Sequence, residues 1–238
     1  MQQSGTLYLI PVTLGDVNHL EVLPMSVRKA VEQISTYIVE NEKTARRFIK
    51  KVVPSKSQPS LNFNVLNKFT DPAELPSFLL KCQEGEDIGL MSEAGVPGVA
   101  DPGADVVALA HKMGISVKPL VGPSSILLAV MASGMNGQSF AFNGYLPIDK
   151  PERKRKLKEF EQLSSKFNQT QVFIETPYRN NKLFDEIVSS LRKDTLLGIA
   201  CDLTLPTEYI RTLAISSWIK EKVDLRKRPA IFLIHTGY

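Results

Sequence analysis

The sequence carries its candidate chemistry in small-residue loops. The longest of these loops follows the apolar run Ile88–Met91 and passes through glycines, prolines and acidic residues to Gly103. Shorter loops of similar character occupy 13–16 and 121–125. Glycine lets the backbone approach a ligand closely, and exposed N–H groups at the start of a helix hold polar ligand groups. The loops therefore indicate ligand binding through the main chain, with ordinary strand-to-helix connections as the alternative.

Signature motifs of several enzyme classes are absent from the sequence. It contains neither GxxxxGK[ST], GxGxxG nor GxSxG, which argues against a P-loop NTPase, an ordinary dinucleotide site and a serine hydrolase. The histidines are His19, His111 and His235. We expect His111, in a predicted helix, and His235, at the end of an apolar strand, to be structural. What remains is several small-residue loops at strand ends, which suit a neutral or zwitterionic cofactor held by the backbone.

Charged residues supply a second group of candidates. Glu40 ends a predicted strand, and the helix predicted after it carries Arg46 and Arg47. A basic run, 150–158, opens another helix. The net charge of +4 and the pI of about 9.0 permit an anionic partner such as RNA without requiring one. A solvated surface is the alternative interpretation of all these cations.

Composition indicates a globular protein. The 238 residues are 43% hydrophobic and 23% charged, enough for one large domain or two smaller ones. Cys82 and Cys201 form no CxxC or Cys/His cluster, so we expect neither a disulfide nor a metal site. The N-terminus lacks a signal-peptide pattern and the apolar runs are too short to span a bilayer, which predicts a cytoplasmic protein with reduced thiols.

Alternating elements dominate the first half of the chain. The hydrophobic pattern predicts strands at 7–12, 36–39, 88–91 and 116–120, separated by helices near 27–34, 43–53, 73–82 and 104–113. Such alternation favours a largely parallel sheet with helices on both faces. We expect this α/β domain to cover 1–119.

The second half has a different pattern. Strands are predicted at 140–147, 171–174, 196–201 and 230–235, with helices at 150–163 and around 183–191 and a short helix at Trp218. The pattern predicts a mixed α+β sheet domain over 120–238 with more antiparallel pairing.

Several loops together resemble the tetrapyrrole methylase superfamily. The loop S-E-A-G-V-P at 92–97 continues to A-D-P-G at 100–103, and similar motifs follow in the family's order at 120–125, 132–134, 142–147 and 175–179. Within the superfamily the set looks like the bacterial small-subunit rRNA ribose 2'-O-methyltransferases, whose loop reads S-D-A-G-T-P and then S-D-P-G. The resemblance extends over nearly the whole chain.

The resemblance implies an S-adenosylmethionine-dependent methyltransferase of two α/β domains, with the cofactor in the cleft between them and a homodimer as the usual assembly. It places cofactor contacts on Leu14, Gly15, Ser92, Glu93, Ala94, Ser124, Ser125, Glu175 and Thr176. Because the sulfonium is already a strong electrophile, the enzyme mainly aligns donor and acceptor. A ribose hydroxyl still benefits from a general base, for which the candidates are Glu40 and Glu175. Candidate contacts to RNA phosphate are Arg46, Arg47, Lys154 and Arg155.

The presumed substrate face departs from the family's pattern. The family's E-D-T-R-H-T is E-N-E-K-T-A at 40–45, Tyr178 replaces a histidine, and 201–205 and 228–230 differ from its R-E-L-T-K and K-G-E. A different RNA site or another acceptor is therefore open. One alternative is a C-methyltransferase of a porphyrin or corrin precursor, although Pro11–Asp16 lacks the GxGxGD-type loop of such enzymes. Another is an inactive member that only binds RNA or cofactor.

Overall fold

The computed structural model describes residues 4–237 and divides the chain into two units, the first ending at Ser124 and the second beginning at Ser125. The boundary predicted between 119 and 120 lies before this division. Residues after 119 pack with the first unit because Leu120 N donates to Leu9 O at 3.0 Å. In addition, a Cβ built on Gly122 would overlap the ring of Pro11.

The first unit contains a five-stranded sheet in which every pairing is parallel. The strand order is β3-β2-β4-β1-β5. The strands are β1 (Thr6–Leu9), β2 (Thr36–Val39), β3 (Asn62–Val65), β4 (Ile88–Met91) and β5 (Ser116–Pro119). The parallel sheet predicted from the alternating pattern is confirmed, while β3 was not predicted because its alternating Asn residues weaken the apolar signal.

Helices cover both faces of this sheet. They are α1 (His19–Val22), α2 (Met25–Gln33), α3 (Glu42–Val52), α4 (Leu75–Phe78), α5 (Leu80–Gln83) and α6 (Ala104–Lys112). Alternate residues of β2 point to opposite faces. Tyr37 and Val39 enter a core with α2 and α3, whereas Ile38 enters a second core with α6. Both cores are buried, as the predicted two-faced packing requires.

The single helix predicted at 73–82 is wrong in detail. The segment forms a 3-10 turn, Pro72–Glu74, followed by the separate short helices α4 and α5. Pro76 has no N–H to donate and favours the first turn of a helix over its interior, so a continuous helix through this position is disfavoured. The apolar residues still reach the core, since Leu75, Phe78 and Leu79 are buried.

The second unit contains a mixed sheet in the order β6-β7-β10-β8-β9. Only β6 and β7 pair in parallel, and the other neighbours are antiparallel. The strands are β6 (Phe140–Tyr145), β7 (Thr170–Ile174), β8 (Leu196–Cys201), β9 (Tyr209–Ala214) and β10 (Ala230–His235). The helices are α7 (Ser125–Ser133), α8 (Lys150–Phe167), α9 (Asn180–Ser190) and α10 (Ile215–Trp218). The mixed sheet is confirmed, and β9 was not predicted.

Aromatic residues fill the core of the second unit. Phe173 stacks on Phe232 at 6.0 Å and lies 5.7 Å from Phe160. Trp218 is buried, and its Nε1–H donates to Leu197 O at 2.8 Å, so its polar group is satisfied. Within residues 4–237 no group of ligating side chains is arranged to hold a metal ion, and no helix is long and apolar enough to cross a membrane.

Candidate functional site

The loops that follow β1 and β4 are joined to each other. Because parallel strands end at the same edge of a sheet, the chain leaving β1 and the chain leaving β4 emerge side by side. Ile10 N donates to Leu90 O at 2.8 Å, and Val12 N donates to Gly95 O at 2.8 Å. Val12 and Gly95 also form an isolated antiparallel bridge. The two loops therefore form one continuous surface at the carboxyl edge of the sheet.

The loop after β4 needs unusual backbone conformations. Gly95 has φ of 73° and Gly103 has φ of 130°, while Ala100 adopts a φ of 62° that few residues with a Cβ accept. A Cβ on Gly95 would lie 3.1 Å from Leu14 Cδ2, so the glycine keeps this side chain against the loop. The loop thus presents backbone groups, with little side-chain bulk, toward the loop after β1.

A cavity of about 350 Å³ brings several of the predicted residues together. Two of the predicted cofactor segments line it, through Leu14 and Gly15 on one side and Ser92 and Glu93 on the other. One face of α3 supplies the remaining wall, with Thr44, Arg47, Phe48 and Lys51. Backbone-rich loops and cationic side chains therefore share one concave site within the first unit.

Glu40 follows β2 at the same edge and belongs to a cluster of carboxylates. Its Oε1 accepts a hydrogen bond from Glu93 N at 3.3 Å. Burial raises the pKa of Glu40, and the nearby charges of Asp101 and Glu93 raise it further. Burial also raises the pKa of Asp101, although a hydrogen bond from Ser92 opposes the shift. Glu40 is therefore a stronger base than a solvated carboxylate.

The side chain of Glu93 is held by α3. Thr44 Oγ1 lies 2.6 Å from Glu93 Oε1 and 3.0 Å from Asn41 O. Asn41 caps the helix, since its Oδ1 accepts from Lys43 N and from Thr44 N. The first turn of α3 is in this way fixed against the loop after β4.

Arg46 and Arg47 occupy different surroundings although they are adjacent in sequence. The guanidinium of Arg46 binds Glu42 at 2.7 Å, donates to Gln58 O at 2.6 Å and lies 4.5 Å from the centre of the Phe63 ring. Arg47 is exposed and lines the cavity. The structure thus gives Arg46 intramolecular partners and leaves Arg47 facing the candidate site.

Lys51 ties α3 to the loop after β1. Its Nζ donates to Asp16 Oδ1 at 2.7 Å and to Val17 O at 2.8 Å. The hydrogen bond and the charge of Lys51 lower the pKa of Asp16, with a smaller effect from Arg47. The sequence shows Lys51 among the cations of this helix but does not assign it to the site, and it gives no role to Thr44 or Phe48. Their spacing with Arg47 is that of one helical face and was available as a signal.

Of the remaining predicted residues, Ala94 is exposed in the loop after β4 and Ser124 ends the first unit, while the others lie in the second unit. Ser125 is the first residue of α7. Glu175 follows β7 with its side chain only 1% exposed, and its Oε1 accepts from Thr176 N at 2.6 Å and from Arg179 Nη2 at 2.5 Å. The carboxylate is thus committed to internal partners, and Thr176 is half-buried beside it.

Lys154 and Arg155 are both exposed on α8 but face different ways. Lys154 lines a groove between α8 and α9. Arg155 is 81% exposed, and its Nη2 lies 4.0 Å from Glu152. Consecutive helical residues are about 100° apart around the axis, so these two side chains lie on different surfaces of α8.

Comparison with known proteins identifies the class. The model of the family "Tetrapyrrole (Corrin/Porphyrin) Methylases" matches residues 6–217, and the chain belongs to this family. The solved methyltransferase CobJ has a TM-score of 0.63 at 13% identity, covering 98% of this chain and 100% of that one. Uroporphyrin-III-C-methyltransferase from Thermus thermophilus has a TM-score of 0.57 at 15% identity, covering 98% and 94%. These similarities confirm the predicted fold.

Curated relatives carry a more particular name. Ribosomal RNA small subunit methyltransferase I of Vibrio cholerae is 27% identical over 98% of this chain and 77% of its own length. The enzyme of that name from Leptospira borgpetersenii is 30% identical, over 86% of this chain and 78% of its own, and that from Escherichia coli O157:H7 is 27% identical over 97% and 77%. The protein is therefore a methyltransferase, and the resemblance seen in its loops is confirmed.

Proposed function

We propose that the protein transfers a methyl group from S-adenosylmethionine to a ribose 2'-hydroxyl of small-subunit rRNA. The observation that carries the proposal is the cavity of the first unit, which joins both cofactor-type loops to the cationic face of α3. Relatives named as small-subunit rRNA methyltransferases, similar over most of this chain, support rRNA as the acceptor.

The loops fit a cofactor that is gripped mainly by backbone. The positive φ angles at Gly95 and Gly103 open the loop after β4, and the Val12 to Gly95 hydrogen bond holds it beside Leu14 and Gly15. We assign cofactor contacts to Leu14, Gly15, Ser92, Glu93, Ala94, Ser124, Ser125, Glu175 and Thr176. When bound, S-adenosylmethionine supplies an electrophilic methyl group, and the protein's part is to orient the acceptor toward it.

Glu40 is our candidate for the general base. Its carboxylate is partly desolvated and lies near Asp101 and Glu93, and both effects raise its pKa. The raised pKa makes Glu40 a better proton acceptor than a solvated carboxylate. In the proposed step, Glu40 would take the proton of the ribose hydroxyl, and the bound cofactor would supply the methyl group to that oxygen and leave as a neutral thioether. Glu175 was the other candidate, but its ion pair with Arg179 favours a positioning role.

Cations of both units are our candidates for phosphate contacts. In the first unit Arg47 faces the cavity, with Lys51 beside it, and Arg46 supports the helix through its internal contacts. In the second unit Lys154 and Arg155 are exposed on α8. Cationic side chains at such positions neutralise phosphates without reading sequence.

Labelled S-adenosylmethionine tests the proposal. The protein is incubated with small ribosomal subunits from a strain lacking the relevant methyltransferase, and separately with tetrapyrrole precursors. Label in ribose supports the proposal, whereas label on the macrocycle identifies a porphyrin or corrin C-methyltransferase instead. Absence of label from both acceptors, with cofactor binding retained in calorimetry, identifies a binding protein without turnover.

We further propose that the protein acts in the cytoplasm, where its rRNA substrate is found, as a homodimer. The homodimer is inferred from the family resemblance. Light scattering after size-exclusion chromatography measures the assembly directly, and the mass of a single 26.5 kDa chain contradicts this part of the proposal.

A further inference from the structure

The groove between α8 and α9, within the second unit, concentrates positive charge. It has a volume of about 350 Å³ and is lined by Lys150, Lys154, Lys182, Asp185, Glu186, Ser189 and Ser190. Lys150 and Lys154 are one helical turn apart on α8, about 6 Å along its axis, and Lys182 faces them from α9. Three ammonium groups thus line one concave surface.

The acidic residues of the groove leave most of this charge unbalanced. Glu186 is already bound by Arg153, whose Nε and Nη2 donate to its two carboxylate oxygens at 2.6 Å and 2.8 Å. Among the residues that the structure describes, no carboxylate lies within ion-pair distance of Lys150, Lys154 or Lys182. Asp185 is the one acid at the groove without such an internal cation.

The buried Arg153 to Glu186 pair fixes the shape of the groove. The side chains of Arg153 and Glu186 are 5% and 10% exposed, and the pair links α8 to α9. Arg153 Nη1 also donates to Pro147 O at 2.9 Å and to Ile148 O at 2.7 Å, which holds the turn before α8. The lysines therefore project from two helices whose relative position is fixed by this ion pair. Because the backbone is already ordered, binding an anion costs less conformational entropy.

The positions of the lysines run against local helix preference. Lys150 is the first residue of α8, and Lys182 lies in the first turn of α9. The N-terminal end of a helix carries partial positive charge and favours acidic side chains, so cations there destabilise the helix slightly. At α8 this effect is offset by acidic groups, since Asp149 Oδ1 accepts from Glu152 N and Glu152 lies in the first turn. The first turn of α9 holds no acidic residue, so an anion beside Lys182 takes that place at α9.

We propose that this groove is a docking site for the phosphate backbone of RNA. The proposal rests on the proposed rRNA substrate and adds Lys150 and Lys182 to the residues that hold it. Ser190, at the end of α9, offers a hydroxyl donor to a phosphate oxygen in the same groove, whereas the Ser189 hydroxyl donates to Asp185 O at 2.7 Å. Binding here holds the RNA backbone without reading its sequence.

A triple variant tests the groove. Lys150→Gln, Lys154→Gln and Lys182→Gln are combined in the full chain, and binding to an in vitro transcribed small-subunit rRNA fragment is measured between 50 and 300 mM KCl. We expect affinity to fall about ten- to a hundredfold, and the slope of log K against log salt to become shallower by about 2. With saturating RNA, kcat stays unchanged while KM rises.

A matched triple variant controls for loss of net charge. Lys193, Lys220 and Lys222 are exposed elsewhere in the second unit, and their replacement by Gln removes the same charge without touching the groove. Thermal unfolding and cofactor titration of both variants confirm that the chains are folded. Equal RNA affinity and equal salt slopes in the two variants overturn the groove proposal. Failure of the wild type to methylate rRNA overturns the proposed function instead, since the groove is judged on RNA binding alone.

Discussion

The neighbouring arginines of α3 provide the sharpest test at the scale of single residues. Replacing Arg47 by Ala should raise the KM for rRNA about tenfold and change stability by less than about 0.5 kcal/mol, because the side chain is exposed at the cavity. Replacing Arg46 by Ala should lower stability by about 1–2 kcal/mol, because contacts to Glu42, Gln58 and Phe63 are lost. Steady-state kinetics measure the effect on KM, and urea unfolding measures the effect on stability, for each of the two variants. The reverse pattern contradicts these assignments.

The proposed role of Glu40 as a base can be tested together with its effect on stability. Its pKa is raised in the folded state, so the ionised carboxylate costs stability, and stability rises as pH falls through the raised pKa. Glu40→Gln should therefore unfold at a higher temperature than wild type at pH 7.5, with the gap closing as pH approaches 4.5, the ordinary value. Methylation should fall about 10²- to 10⁴-fold with cofactor affinity retained.

A control for this variant is Glu84→Gln, at an exposed position outside the carboxylate cluster. It should change neither activity nor the pH dependence of unfolding. Full activity of Glu40→Gln removes Glu40 as the base. A lower unfolding temperature at pH 7.5 shows that its charged form is favoured by the fold, contrary to the geometry of the cluster.

Residue types alone pointed to the loops of the candidate site, since glycine and proline at strand ends are visible in sequence. The residues that were missed depend on packing. Lys51 reaches Asp16 only because Ala45, Ile49 and Val52 turn the opposite face of α3 into the core. Asp101 affects Glu40 only because the loop after β4 folds back across positive φ angles. Neither proximity is encoded in local spacing.

At the scale of elements, strands that are apolar throughout were predicted well. The predicted limits of β2, β8 and β10 match the structure residue for residue, because each is buried along nearly its whole length. Strands β3 and β9 are edge strands with polar or partly exposed residues, so their pattern is weak. The order of strands in either sheet is set by contacts between distant segments and is not readable from periodicity.

The turn at Gly122 gives a prediction for how elements hold the site. A Cβ at this position overlaps the Pro11 ring, so Gly122→Ala must move the turn away from the chain that leaves β1. We expect a loss of about 1–3 kcal/mol, which corresponds to roughly 2–4 °C in Tm per kcal/mol, together with weaker binding of S-adenosylmethionine. Calorimetry measures both quantities.

Gly137→Ala is the matched control for Gly122→Ala. A Cβ at Gly137 would meet only Val130 Cγ1 at 3.8 Å, an ordinary contact. This variant should keep the wild-type Tm within about 1–2 °C and bind cofactor normally. Equal behaviour of the two alanine variants contradicts the idea that close packing on Pro11 supports the cofactor loops.

At the scale of the whole molecule, the two proposed ligands depend on different groups of the protein. The rRNA is expected to bind exposed cations, and S-adenosylmethionine is expected to bind main-chain atoms. The net charge of +4 reflects cations such as those of α3 and of the groove between α8 and α9, whereas the proposed cofactor loops offer mainly main-chain groups. Raising KCl from 50 to 200 mM should therefore weaken binding of rRNA at least tenfold through counterion release, while S-adenosylmethionine affinity changes less than about twofold. Filter binding and calorimetry on one preparation measure both. If KCl weakens binding of rRNA and of S-adenosylmethionine equally, the idea that different groups bind them is contradicted. Equal losses would require the cofactor site to depend on the same exposed cations as the RNA.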